Sequence, residues 1–288
     1  MIIALTIVLV IMVLEVIGGI LSHSLALIGD AGHMLVDALG LGIALFALNL
    51  ARRPATVSKT YGYHRAEIIA ALANGTTLIL VAAYIFYEAY QRFLNPPIVQ
   101  APLMLLIATI GLIANCIGIW LLQRVSHRSL NIKAAFWHIL GDTISSVGVI
   151  AAGIIIATTG WRYADPLIAV FIGIIILWGA IRISRESVDI LLEGVPKHIQ
   201  VDAVDRSLRQ IAGVEDVHDL HIWTITSGIY AMSAHIRIAD QMVSKSTDIV
   251  RTISDTLERQ FAINHTTLQL ECESCPNGLV CEIVEDNL

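Results

Sequence analysis

His33 and Asp37 stand four residues apart, and so do His138 and Asp142. Both pairs are embedded in apolar sequence, with Met34-Leu35-Val36 inside the first and Ile139-Leu140-Gly141 inside the second. Residues four apart share a helix face, so each segment would present one imidazole and one carboxylate together. Two such faces opposed would offer two nitrogens and two oxygens, a donor set that suits tetrahedral zinc. One pair alone would read equally well as a hydrogen-bonded contact between helices. Two copies on separate segments favour a metal site made of His33, Asp37, His138 and Asp142. Asp30, three residues before His33, fits either a ligand at the mouth of that site or a solvated or capped group. Glu15 has no partner in the pattern and is expected to face a wet cavity.

The segments that must position these groups are built for a bilayer. The chain is 56% hydrophobic with a mean hydropathy of +0.74, and its long apolar runs lie before residue 184. A hydrocarbon core of ~30 Å takes ~20 apolar helical residues. Six stretches qualify: Ile2–Leu21, Leu25–Leu50, Ala66–Phe86, Leu103–Leu122, Ala134–Ile156 and Pro166–Ile183. Buried helices of a soluble protein would carry polar faces at period 3.6, and these runs have almost none. Ionisable side chains at membrane depth are expensive and are functional candidates by default. The first stretch lacks a basic leader and a small-residue cleavage site, so it reads as a span and not as a signal peptide. The chain begins almost inside that helix, as if a cytosolic leader preceded it.

Loop charge sets the expected orientation. Arg52, Arg53, Lys59 and Arg65 follow span two, Arg124, Arg128 and Lys133 follow span four, and Arg182 and Arg185 close span six. The opposite loops hold only Arg92 and Arg162, so nine positive charges against two place both termini in the cytoplasm. The net charge of -6 comes from an acidic C-terminal part, and no basic patch with interleaved aromatics suggests nucleic acid.

After Gly194-Val195-Pro196 the pattern becomes that of a soluble domain. Val201, Val204, Leu208 and Ile211 share a helical face. Val217–Thr226 and Ile229–Ile238 roughly alternate around Ser227-Gly228, a hairpin signal. A second amphipathic helix over Ser244–Phe261 leads to a last strand, His265–Glu271. The expected fold is therefore an α-helical membrane protein, with six transmembrane helices over residues 1–185 and a small cytosolic α+β domain, αββαβ, over 186–288. Cys116 falls in span four, while Cys272, Cys275 and Cys281 crowd the C-terminus. In the cytosol such thiols are free or metal-bound and not disulfides. Cys272-Glu273-Ser274-Cys275 has the spacing of a zinc half-site, a weak signal when single.

The two HxxxD pairs, Ser24-Leu25-Ala26-Leu27 leading to Asp30-Ala31-Gly32-His33, and Tyr61-Gly62-Tyr63-His64-Arg65-Ala66-Glu67 resemble the cation diffusion facilitator family. So do His218-Asp219-Leu220-His221-Ile222-Trp223 and Leu268-Gln269-Leu270-Glu271, and the resemblance covers nearly the whole chain, closest to the zinc-transporting branch. It implies a homodimeric metal/proton antiporter, bacterial in type, that exports zinc across the cell membrane and carries a metallochaperone-like cytosolic domain. It also implies that His33, Asp37, His138 and Asp142 form the transport site. In the tail it points to His218, His235 and Glu271, with His265 as a further ligand, for a structural or regulatory zinc; Cys272 and Cys275 are candidates beside them. His221 follows His218 by an odd interval, which puts the two on opposite faces of a regular strand and leaves His221 out. The loop after span two offers His64 but no second histidine, so the extra site of some relatives is not expected, and no histidine-rich loop follows span four.

Two other functions compete on the residues alone. An intramembrane metalloenzyme would need an open position on its zinc, which four protein ligands deny, and the chain has no HExxH motif. A metal sensor anchored by inert spans leaves the matched ligands of two spans unexplained. The expectation is a secondary transporter, not an enzyme.

Overall fold

The computed structural model describes residues 2–123 and 130–273, and side chains over 9–119 and 140–273. Its elements run α1 (Ile2–Ser22), α2 (Leu25–Ala51), α3 (Ala66–Leu94), α4 (Ala101–Gln123), α5 (Leu130–Thr159), α6 (Ala164–Leu191), α7 (Val201–Arg209), β1 (Asp216–Thr226), β2 (Ile229–Arg237), α8 (Val243–Phe261) and β3 (Ile263–Glu271). Helices α2 to α6 each contain a stretch long and apolar enough to cross a bilayer. The described apolar part of α1, Leu9–Ser22, is shorter.

The chain divides into two compact units, Met1–Phe46 with Ala70–Ser184, and Ala47–Ile69 with Arg185–Leu288. In the first, small residues without exposure, Ala26, Ala82, Ala89, Ala152, Ala169 and Ala180, let helix backbones approach closely around Leu27, Ile85, Met104 and Ile172. Large apolar side chains such as Phe46, Leu80 and Trp178 point outward, where lipid and not water is the matching solvent.

Two helices run on past their apolar stretches. α3 reaches Leu94 where hydropathy ends near Phe86, and α6 runs on to Leu191 where hydropathy ends near Ile183. Hydropathy marks what hydrocarbon would cover, whereas backbone hydrogen bonding continues into polar sequence. On the added turns of α3, Glu88 accepts a 3.1 Å bond from Arg92 at the i,i+4 spacing.

A buried carboxylate fixes where α2 begins. Asp165, at the start of α6, has no exposed surface. It accepts bonds from Ser24 Oγ (2.6 Å), from the backbone N–H groups of Leu25 (2.7 Å) and Ala26 (3.2 Å), and from Arg92 (3.4 Å). These are orphan donors of the first turn of α2, so one acid from another helix caps it and takes the favourable end of its dipole. The Ser24 hydroxyl also accepts from the Leu27 N–H at 3.2 Å.

In the second unit β1, β2 and β3 form one sheet in that order, antiparallel between β1 and β2 and parallel between β2 and β3. Gly228, at φ 79°, makes the hairpin turn that the sequence signals. α8 ends at Ala262 in the left-handed conformation, with its N–H returned to the Leu257 and Glu258 carbonyls. α7 and α8 pack together and against the sheet, burying Val204, Leu208, Ile253 and Leu257 on Val217, Met232, Ile236 and Ile263. Arg209 joins α7 to β1 by bonding Asp205, Asp216 and the Val217 carbonyl. The guanidinium beside Asp216 holds its carboxyl below the usual range.

The loop between α2 and α3 is part of this unit. Arg65 pairs with Glu193 at 2.8 Å, Glu67 in the first turn of α3 accepts a 2.8 Å bond from Thr226, and the Tyr61 ring meets His265 edge-on at 5.4 Å.

Candidate metal centres

Helix α2 presents His33 and Asp37 one turn apart, with His33 Nε2 3.3 Å from Asp37 Oδ2. α5 brings Asp142 Oδ1 to 4.0 Å from the same nitrogen. Zinc bonds of ~2.0–2.1 Å in a tetrahedron separate ligand atoms by about 3.3 Å. The first distance is already at that spacing, and the second needs to close by roughly 0.7 Å on the same geometry. His33 and Asp37 keep about a fifth of their side-chain surface open, at 22% and 23%. His138 lies on α5 one turn before Asp142, and its side chain is outside the described residues.

Two further intramembrane acids, Asp30 and Glu15, are buried deeper than His33, Asp37 and Asp142. Asp30 is 2% exposed, beside Ser145 and Ser146 of α5, and so takes neither a solvated nor an open position. Glu15, expected to face a wet cavity, is 1% exposed. It lies against α4 at Gly111, where an added Cβ would fall 2.5 Å from its Oε1 and the carboxylate would have to shift.

In the tail, His218, His235 and Glu271 bring one ligand atom each to within 4.8 Å of one another. Among the described residues this is the one group of three or more metal-ligating side chains so gathered. Opposed register explains it: His218 on β1 faces His235 on β2, and β3 ends with Glu271 beside Arg237, two residues along. His218 Nε2 is 3.1 Å from Glu271 Oε2, and His235 Nδ1 is 3.0 Å from Glu271 Oε1. His218 is 2% exposed, and its buried Nδ1 has no hydrogen-bond partner among the described residues. The donor set and its spacing fit a divalent ion.

Two tail expectations do not join this cluster, and a third falls on a residue that is not described. His265 pairs with Ala231 near the start of β3, far along the strand from Glu271, and its ring rests on Tyr61; it does not join the cluster. Cys272 is exposed and belongs to no such cluster among the described residues. Cys275 lies outside the described residues. His221 reverses the parity expected of it. The pairs His218 with His235 and His221 with Ser233 set three steps on β1 against two on β2, so a bulge absorbs one residue. His218 and His221 therefore share a face. The bulge centres on Asp219, at φ 50°, whose carboxylate is 3.0 Å from His221 Nε2. Asp165 and Asp219 are the two site or capping acids that spacing alone does not reveal; an acid before Pro166 at a helix start is the only sequence trace of the first.

Comparison with known proteins identifies relatives over most of the chain. Residues 1–192 match the model of the cation efflux transmembrane domain, and residues 196–273 match that of the cation efflux protein cytoplasmic domain. A Bacillus subtilis (strain 168) protein named as a cadmium, cobalt and zinc/H(+)-K(+) antiporter is 43% identical over 276 residues, 94% of this chain and 88% of that one. The metal cation efflux system protein CzcD of Cupriavidus metallidurans is 41% identical over 264 residues, 92% of this chain and 83% of its own length. The zinc transporter ZitB of Escherichia coli (strain K12) is 37% identical over 276 residues, 95% of this chain and 87% of its own. With membrane-length helices, a three-stranded tail and family matches over both parts, this chain belongs to the cation efflux, or cation diffusion facilitator, family: it is a multi-pass membrane transporter of divalent metal, not an enzyme.

Proposed function

We propose that this transporter exports zinc in exchange for protons, and that the ion occupies His33, Asp37, His138 and Asp142 on its way. The observation that carries the reading is the meeting of His33, Asp37 and Asp142 from two spans around one imidazole nitrogen. Two aspartates and two neutral histidines sum to -2, which Zn2+ brings to zero. After release, that charge in a low-dielectric region is costly. Protonating both histidines restores neutrality, and an unperturbed histidine pKa of ~6.5 puts the exchange near physiological pH. Metal needs the neutral imidazole, so zinc and protons compete for the same groups.

The relatives' names support this choice, since all three include metal efflux or zinc transport and one includes H(+). Cobalt and cadmium also accept nitrogen and oxygen ligands, so zinc preference rests on geometry and not on affinity order. The active form is a homodimer in the cell membrane of a bacterium, with both termini cytoplasmic, and the tail trio holds a regulatory zinc. Metal uptake into sealed proteoliposomes, with zinc, cobalt and cadmium in competition, tests the reading. Zinc accumulation against its gradient, in excess over the other two, is expected. A tail that binds zinc in vesicles that accumulate none would replace it with the anchored sensor.

A further inference from the structure

Neutral imidazole carries one proton and one lone pair, and only the lone pair binds metal. Which nitrogen keeps the proton is set by what the other side of the ring meets. His235 has its two nitrogens in different company. Nδ1 faces Glu271 Oε1 at 3.0 Å, inside the cluster with His218, while Nε2 faces Asp219 Oδ2 at 3.5 Å. The other oxygen of Asp219 is held by His221 at 3.0 Å, which restricts the carboxylate's rotation and keeps Oδ2 on the His235 side. The left-handed backbone at Asp219 makes the arrangement possible, because the bulge turns His221 onto the same face as His218.

We infer that Asp219, steadied by His221, is a positioning residue for metal capture by the tail: it keeps the His235 proton on Nε2, so that the Nδ1 lone pair faces the ion bound with His218 and Glu271. The inference rests on reading that trio as a metal site. A carboxylate can only accept a hydrogen bond, so it favours one tautomer. An amide in its place can donate to Nε2 and hold the ring in the other, as amide replacements of histidine-orienting carboxylates do.

A purely structural role for Asp219 makes a different forecast. Asparagine and glycine both tolerate the left-handed conformation, so either would preserve the bulge. The experiment uses the full chain in detergent with Asp37→Ala and Asp142→Ala, leaving the tail to dominate zinc binding, which is followed by titration calorimetry. Asp219→Asn and Asp219→Gly are expected to weaken zinc binding by about 10- to 100-fold, the usual cost of losing an outer partner of a histidine ligand. Stoichiometry and the melting temperature of the metal-free protein should not change. Asp219→Glu should recover part of the affinity, and His221→Ala, which leaves the bulge residue in place, should lose a few-fold. Zinc affinity within about two-fold of the parent in both Asp219→Asn and Asp219→Gly would overturn the inference, as would loss of one ion per chain, which would make Asp219 a ligand. If the Asp219 variants do not fold, unchanged affinity in His221→Ala overturns it. The control separates the two readings: binding that survives His235→Ala removes the trio and the inference together. Binding lost in His235→Ala but intact in the Asp219 variants removes the inference alone.

Discussion

Removing one carboxylate from a site that must hold a divalent ion deletes a ligand and leaves charge uncompensated in a medium that solvates it poorly. Asp37 and Asp142 approach the same His33 nitrogen from different helices, so neither can stand in for the other. Asp37→Ala and Asp142→Ala should each abolish zinc transport in proteoliposomes while the purified protein keeps the parent's elution volume and melting behaviour. Transport by either variant at the parent's rate would remove that residue from the site. The repeated four-residue spacing made this pair of faces visible in the sequence, because helical periodicity holds inside a long apolar run. The tail was less transparent for the same reason in reverse. Alternation along β1 predicts that His218 and His221 part company, but one left-handed residue at Asp219 shifts the count and rejoins them. No spacing rule registers a bulge. His265 misled in a simpler way: it lies on the expected strand, but five residues of extended chain separate it from Glu271.

The helices and strands were legible where composition changes sharply, as at Gly194-Val195-Pro196 and at Ser227-Gly228. Their far ends were not, since polar turns of α3 and α6 continue helices that hydropathy had closed. Nor could sequence show that the start of α2 is capped from α6. Asp165 is fully buried and serves Ser24, Leu25 and Ala26 at once. Asp165→Ala would strand those donors, and the Arg92 charge beside them, at about 1–3 kcal/mol for an unsatisfied buried group and more where charge is involved. We expect a clear fall in thermal stability in detergent, with Asp165→Asn intermediate because its amide oxygen still accepts. Equal melting temperatures for the parent and Asp165→Ala would mean that water or a rearranged Ser24 replaces the acid without loss.

On the scale of the whole molecule, the proposed exchange of metal for protons would make transport depend on what lies on both sides of the bilayer. An imposed gradient, acid on the side that receives zinc, should accelerate zinc flux in proteoliposomes, and zinc binding to the detergent-solubilised protein should release protons. A flux indifferent to the gradient, together with no proton release, would sink the exchange mechanism while leaving metal transport itself intact. Composition places the membrane part before residue 184 and the soluble part after it, a division along the chain. Contacts divide it differently, because the segment Ala47–Ile69 is compact with Arg185–Leu288 through Arg65, Glu67 and Tyr61. A chimera that exchanged only the C-terminal segment for a relative's would therefore set a foreign strand end and a foreign surface against the native residues 47–69. The portable module is discontinuous, and recombination between relatives would preserve it only if two crossovers flank the loop and a third precedes Arg185.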